Sequence, residues 1–197
     1  MNQKFLIAGL GNPGKEYENT RHNIGYIILN ELAKDWQVSL QEKPKFKGLL
    51  GQKSFEEKTA YLLLPATYMN LSGISVKKCM DYFQMDIKNL LIIVDDVHIP
   101  FGQLRLKKES GTGGHNGLES IRQYLHTDAY ARLRIGIGGK EKQDLVPHVL
   151  GSFSEKEKRD LPDIADKAKE VIFLWMEKGI DAAMNLANIK VRKEHEK

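Results

Sequence analysis

The amino-acid sequence predicts a single α/β domain, a mixed and mostly parallel central sheet surrounded by helices. Three observations carry that expectation. Short apolar, β-branched runs alternate along the chain with segments of 3.6-residue apolar period. No linker, internal repeat or low-complexity tract separates them. The length, 197 residues, suits one domain with a substantial buried core.

In chain order, FLIAGL (5–10) is an apolar run stopped by Gly11, Pro13 and Gly14, hence a buried strand and turn. Residues 23–35 place Ile24, Ile27, Ile28 and Leu32 on one helical face. A polar loop around Pro44 precedes two strand-like runs, FKGLLGQ and AYLLLP. Ser72 stands where it would cap a helix carrying Val76, Met80 and Phe83. LLIIVDD (90–96) is the clearest buried strand and ends in two acids. QLRLKK (103–108) alternates in strand fashion. The glycine-rich ESGTGGHNG leads into a helix at 116–125, followed by the strand RLRIGIG (132–138). The C-terminal third is helical, with Leu161, Ile164, Ala165, Ala168, Val171, Ile172 and Trp175 in register. Residues 1–190 read as the domain and 191–197 as a solvated tail.

Composition narrows the function classes. Hydrophobic residues make up 41% and charged residues 28%, ordinary for a soluble globular protein. No run approaches the roughly 18 apolar residues needed to span a bilayer. The N-terminal apolar run ends in a glycine-rich turn without a cleavage pattern, so it reads as a strand rather than a signal peptide. A cytoplasmic location is the resulting expectation. Cys79 is the only cysteine, which excludes an internal disulfide and a multi-cysteine metal site. A net charge of +4 permits nucleic-acid binding without requiring it, since part of the surplus lies in KVRKEHEK at the end.

Gly9-x-Gly11-x-x-Gly14 matches the dinucleotide-binding pattern in letters only. The third glycine should open a helix whose N-terminus meets a pyrophosphate. Here Pro13-Gly14 leads into KEYENTRH, and helical periodicity begins only near Asn23. No cofactor is expected.

Four clusters carry the chemistry. His22 stands just before a helix, between Arg21 and Asn23. Asn70 lies between a strand and a helix in PATYMNLSG. Asp95 and Asp96 end the most buried strand, where ligands gather in open α/β sheets. His115 and Asn116 follow the flexible SGTGG. Each also has a plain structural reading, as a cap, a turn or a surface residue. Together they offer two histidines, two acids and neutral amides but no activated nucleophile: there is no G-x-S-x-G elbow, and Cys79 falls mid-helix on a buried face. A metal site built from His22, Asp95, Asp96 and His98 would match no dedicated spacing, so none is expected. What remains is a histidine that takes a proton from water, with an acid to orient it, which is hydrolysis by general base.

These residues also carry a resemblance. FLIAGLGNPGKEYENTRHNIGY, LLLPATYMNLSG, LIIVDDVHIPFG, SGTGGHNGLESI and ARLRIGIG resemble, in order, the signature blocks of the bacterial peptidyl-tRNA hydrolases. VPHVLGSF and the helical C-terminus fit as well, so the likeness covers nearly the whole chain. It implies that His22 is the general base and that Asp95 holds its far ring nitrogen. It implies that Asn12, Asn70 and Asn116 bind the peptide end and the attacked carbonyl. Tyr17, Tyr68, Met69 and His115 would line the same cleft. Arg105, Lys107 and Arg134 fall where the family carries basic residues for tRNA phosphates. The partner implied is tRNA, met by a monomer without metal, cofactor or membrane. One departure is His98, where the family usually has an acid. Two rivals to this reading stand beside it: an RNA-binding relative without catalysis, and an unrelated nucleotide-binding oxidoreductase.

Overall fold

The computed structural model describes residues 2–139 and 145–189. Its centre is β5 (Leu90–Asp96), the run LLIIVDD, whose first six residues are all buried. A strand apolar on both faces needs cover on both, and here both sides are covered. β1 (Gln3–Gly9) and β7 (Ala131–Gly136) flank it in parallel, and β4 (Lys58–Pro65) runs parallel to β1 on its other side. Three antiparallel strands complete the sheet: β3 (Gly48–Ser54) on β4, β2 (Gln41–Lys43) on β3, and β6 (Leu104–Lys107) on β7. Among the described residues the strand order is β2-β3-β4-β1-β5-β7-β6. The expected mixed, mostly parallel sheet is the one found.

Alternation along the strands sorts two cores. Phe5 and Ile7 of β1, with Leu91 and Ile93 of β5, pack under α1 (Ile24–Asp35), α5 (Glu155–Lys178) and α6 (Ile180–Ala187). Leu6, Ala8, Ile92 and Val94 face α2 (Ser72–Phe83) and α3 (Asn116–Leu125). Each fully buried Leu or Ile side chain is worth about 1.5–3 kcal/mol, so this periodicity fixes the register.

The glycines of the dinucleotide look-alike have a packing role. A Cβ on Gly9 would lie 2.3 Å from the Gly25 carbonyl oxygen, and one on Gly25 would lie 2.5 Å from that of Ile93. Only glycine at both positions lets the first turn of α1 rest on the ends of β1 and β5. That close approach carries the residues just before α1 to the carboxyl end of β5.

Some expectations need correction. β2 forms within the segment read as a polar loop; all three of its residues are exposed, so no apolar pattern announces it. Leu71, not Ser72, occupies the N-cap of α2, and the Ser72 hydroxyl instead donates to the Met69 carbonyl at 2.9 Å. The helical C-terminal third is broken at Gly179, whose φ of 84° ends α5 before α6 begins. A short helix, α4 (Leu145–Leu150), precedes them. The proposed tail 191–197 lies outside the described residues.

Candidate active site

The 3₁₀ turn Arg21–Asn23 leads directly into α1 and buries His22. The Gly9–Gly25 contact brings this turn to Asp95, the penultimate residue of β5. His22 Nδ1 and Asp95 Oδ1 lie 2.8 Å apart, with Asp95 only 3% exposed. The same oxygen meets a second histidine, since His115 Nε2 is 3.0 Å away. The two imidazole rings stand 4.8 Å apart between centroids.

Hydrogen-bond chemistry assigns the protons. His115 is the N-cap of α3, and its Nδ1 accepts from the backbone N–H groups of Gly117 and Leu118 at 3.1 and 3.4 Å. Nδ1 therefore holds a lone pair, and Nε2 carries the hydrogen donated to Asp95. An ionised Asp95 can only accept, so His22 Nδ1 also donates, leaving Nε2 as the free acceptor of that ring. Burial pushes the Asp95 carboxyl up, but the positive potential and N–H donors of His115 and His22 outweigh it. They hold the group well below the usual carboxylate range.

Asp96, its neighbour, has another task. Oδ1 accepts from the His98 backbone N–H at 2.8 Å, closing the turn, and Oδ2 pairs with Arg134 Nη1 at 3.0 Å. The other arm of Arg134 donates to the Gly111 carbonyl at 2.7 Å and the Ser110 hydroxyl at 3.3 Å. Arg134 was expected to face phosphates; it is buried, and both arms of its guanidinium are engaged inside the protein. It holds the glycine-rich loop before His115, where Gly113 and Gly114 adopt φ of 63° and 78°.

A cleft of about 340 Å³ opens at this point. His22, Asp95, His115, Asn116 and the exposed His98 line it, and Val146 and Val149 of α4 form an apolar wall. The α4 segment is tied to the His22 turn. Arg21 N–H donates to the Gly151 carbonyl at 3.1 Å, and its guanidinium pairs with Glu157 at 2.8 Å. His148 Nε2 donates to the Gly138 carbonyl at 2.6 Å.

Asn12, Tyr68, Met69 and Asn70 form an adjoining shelf rather than the cleft lining. Asn12 is buried, and its Oδ1 accepts from Met69 N–H at 2.8 Å. Asn23, to which sequence reasoning gave no role, binds Asn12 twice: Oδ1 accepts its N–H at 2.9 Å and Nδ2 donates to its carbonyl at 3.0 Å. Asn12 is thus largely a fastener, with Nδ2 alone unpartnered among the described residues. Met69 packs against Gly117, beside His115. Tyr68, 59% exposed, and Asn70 stand open to solvent on the 3₁₀ turn Met69–Leu71 and its cap. Tyr17 sits half-buried in the 3₁₀ turn Lys15–Tyr17 and does not line the cleft. Arg105 and Lys107 are exposed on β6, also outside it.

The metal set considered from sequence is not assembled, since Asp96 turns to Arg134. The one cluster of metal-ligating type among the described residues is His22, Asp95 and His115. It does not fit a cation: with Nδ1 of His115 taken by helix amides, Nε2 offers a hydrogen rather than a lone pair. Burial pushes the Cys79 thiol up to about 12, in keeping with a core residue. No helix among the described residues is long and apolar enough to cross a membrane.

Comparison with known proteins agrees with this geometry. The peptidyl-tRNA hydrolase family profile matches residues 6–196. The chain is 42% identical over 188 residues to the peptidyl-tRNA hydrolase of Bacillus subtilis, covering 95% of this chain and 100% of that one. It is 40% identical over 184 residues to that of Caldanaerobacter subterraneus, covering 93% and 99%. In structure it resembles the crystallised peptidyl-tRNA hydrolase of Acinetobacter baumannii, with a TM-score of 0.89, 39% identity, and 95% and 96% of the two chains covered. From its first strand to its C-terminal helices, the chain belongs to the peptidyl-tRNA hydrolase family.

Proposed function

We propose that this enzyme hydrolyses the ester between a peptide and the 3′ end of tRNA with water activated by His22. The observation that carries the reading is the buried 2.8 Å contact between His22 Nδ1 and Asp95 Oδ1. It holds one ring nitrogen as a donor and leaves the basic nitrogen Nε2 at the cleft. Water loses a proton to Nε2 as its oxygen attacks the ester carbonyl. Asp95 stabilises the imidazolium so formed. Asn116, exposed at the start of α3, is placed to help position water or stabilise the oxyanion. Collapse of the tetrahedral intermediate breaks the bond to the ribose oxygen, which takes the proton back from His22.

His115 supports this chemistry as a second donor to Asp95, keeping that carboxylate ionised. Asn70, Tyr68 and Met69 provide a shelf for the peptide, with the free Nδ2 of Asn12 beside them. Arg105 and Lys107 supply exposed charge for RNA phosphates. No metal or cofactor has a part in this reading, which takes the enzyme to be a cytoplasmic monomer. Against the rival of an inactive RNA-binding relative stands the retention of His22, Asp95, Asn12, Asn70 and Asn116.

The test is peptide release from N-acetyl-aminoacyl-tRNA in the presence of EDTA. Release is expected with the parent enzyme and not with His22→Ala. Absence of release by the parent, or its full survival in the variant, would overturn the mechanism.

A further inference from the structure

The antiparallel pairing of β6 with β7 sets Arg105 opposite Arg134 and Lys107 opposite Arg132. Directly opposed residues of an antiparallel pair project from the same face, so four cations share one side of two strands. Like charges in that arrangement repel and weaken the pairing. On β7 the charges are compensated: Arg134 by Asp96 at 3.0 Å, Arg132 by Asp128 at 2.7 Å. On β6 they are not, since Arg105 and Lys107 form no ion pair among the described residues. β6 is also a sheet edge only four residues long, with nothing but β7 beside it in the sheet. An edge strand under mutual repulsion needs something else to hold it.

That something is a side chain. Asn188, the C-cap of α6, accepts from Leu106 N–H at 2.9 Å and donates its Nδ2 to the Leu106 carbonyl at 3.0 Å. One carboxamide thus satisfies both outward-facing backbone groups of Leu106, as a neighbouring strand would. The Leu106 side chain adds a fully buried anchor among the helices. Leu106 lies between the two unpaired cations, so the clasp grips β6 at its middle.

We propose that Asn188 is a positioning residue for RNA: it holds β6 flat so that Arg105 and Lys107 are presented to tRNA phosphates despite their repulsion. The proposal rests on the functional reading above. It explains why cations are kept uncompensated on a short edge, since incoming phosphates supply the countercharge that the protein withholds.

The test combines hydrogen exchange without RNA, binding of deacylated tRNA, and turnover. In Asn188→Ala, the amides of Arg105 and Lys107 should exchange roughly 30-fold faster, the worth of two neutral hydrogen bonds. Binding of deacylated tRNA should weaken at low salt, with the slope of log affinity against log salt falling by roughly one unit. KM for N-acetyl-aminoacyl-tRNA should rise while kcat holds. In an Arg105→Gln, Lys107→Gln background the repulsion is gone, so Asn188→Ala should speed exchange much less, a coupling that a merely structural contact would not show. Unchanged exchange at 105 and 107, or equal effects in both backgrounds, overturns the clasp. If the parent hydrolyses its substrate but Asn188→Ala binds tRNA as the parent does, the clasp fails and the enzyme assignment stands. If the parent releases no peptide, the assignment fails while the exchange result still judges the clasp.

Discussion

The Asp95 knot and the β6 edge both hold charge on the sheet, yet they obey opposite rules. In the knot, one carboxylate oxygen meets two imidazole N–H groups at 2.8 and 3.0 Å, and the acid is 3% exposed. At the edge, Arg105 and Lys107 are exposed and form no ion pair among the described residues. Buried charge is weakly screened and must have every partner in place, so a small change there has a large consequence. Exposed charge is screened within about 8–10 Å at ordinary ionic strength, so its effects are small, additive and salt-dependent. In the proposed reading the chemistry uses the first kind, and recognition of a long polyanion uses the second.

The largest effect should come from the knot. His22→Ala removes the imidazole that the Asp95 contact holds with Nε2 free at the cleft. kcat should fall at least ~100-fold, the lower range for losing general-base catalysis, while tRNA binding persists. Single-turnover rates beside tRNA affinity would check it; near-normal turnover would leave the site without its base.

Next comes selectivity. A peptidyl ester presents a neutral amide, whereas an aminoacyl ester presents an amine substantially protonated near neutral pH. Both cleft acids are already engaged within the protein, Asp95 by two imidazole N–H groups on Oδ1 and Asp96 by Arg134 and the His98 amide. Stripping water from an unpaired cation costs several kcal/mol, against about 1 kcal/mol for a neutral hydrogen bond gained. kcat/KM on one tRNA should therefore favour the N-acetylated aminoacyl form by roughly 100-fold or more over the free amine. Equal values would mean that the amide shelf does not read the substrate.

Asp95→Asn should cost less, about 10-fold or more in kcat, since a less well held imidazole still reaches water. It also carries a pH signature. The Asp95 carboxyl is depressed in the folded state, so the native protein binds fewer protons than the unfolded chain as pH enters the ordinary carboxylate range. Its contribution to stability is complete above about pH 4 and is lost as pH falls through the lower native value. Thermal melting of Asp95→Asn should accordingly depend less on pH below about 4 than that of the parent. Parallel acid limbs would show that Asp95 is not held down.

How much of this the sequence displays follows the same division. β5 is legible because six consecutive buried residues leave a continuous apolar run. β2 is not, because an all-exposed Gln41–Lys43 has no period and forms only where β3 supplies a partner. His22 and Asp95 are legible through chemistry and family likeness. The second donor to Asp95 is not, because it depends on loops far apart in sequence meeting across the sheet. Asn23 is missed for the same reason, although a polar residue ahead of a helix is a signal that it caps or fastens something. Tyr17 and Arg134 show the converse: a residue within a signature block inherits an expectation that its own packing does not support.

The smallest effect belongs to the edge, and a matched pair of substitutions exposes the rule. Arg134 and Arg105 face one another across two strands and carry the same charge. Arg134→Gln breaks a buried pair, leaving Asp96 without its counterion and the Gly111 carbonyl without its donor. The outcome should be a stability loss of about 3 kcal/mol or more, little altered by salt, with turnover falling as the loop before His115 loosens. Arg105→Gln removes a solvated charge and breaks no side-chain bond among the described residues, so melting should stay within about 0.5 kcal/mol of the parent. Its effect should appear only against tRNA, as a salt slope shallower by somewhat under one unit, vanishing as salt rises while kcat is unchanged. Melting in denaturant and tRNA titration at several salt concentrations would separate the two. If Arg105→Gln destabilised the fold as much as Arg134→Gln, the edge cation would be structural, and the division between a fixed catalytic knot and an open recognition edge would collapse.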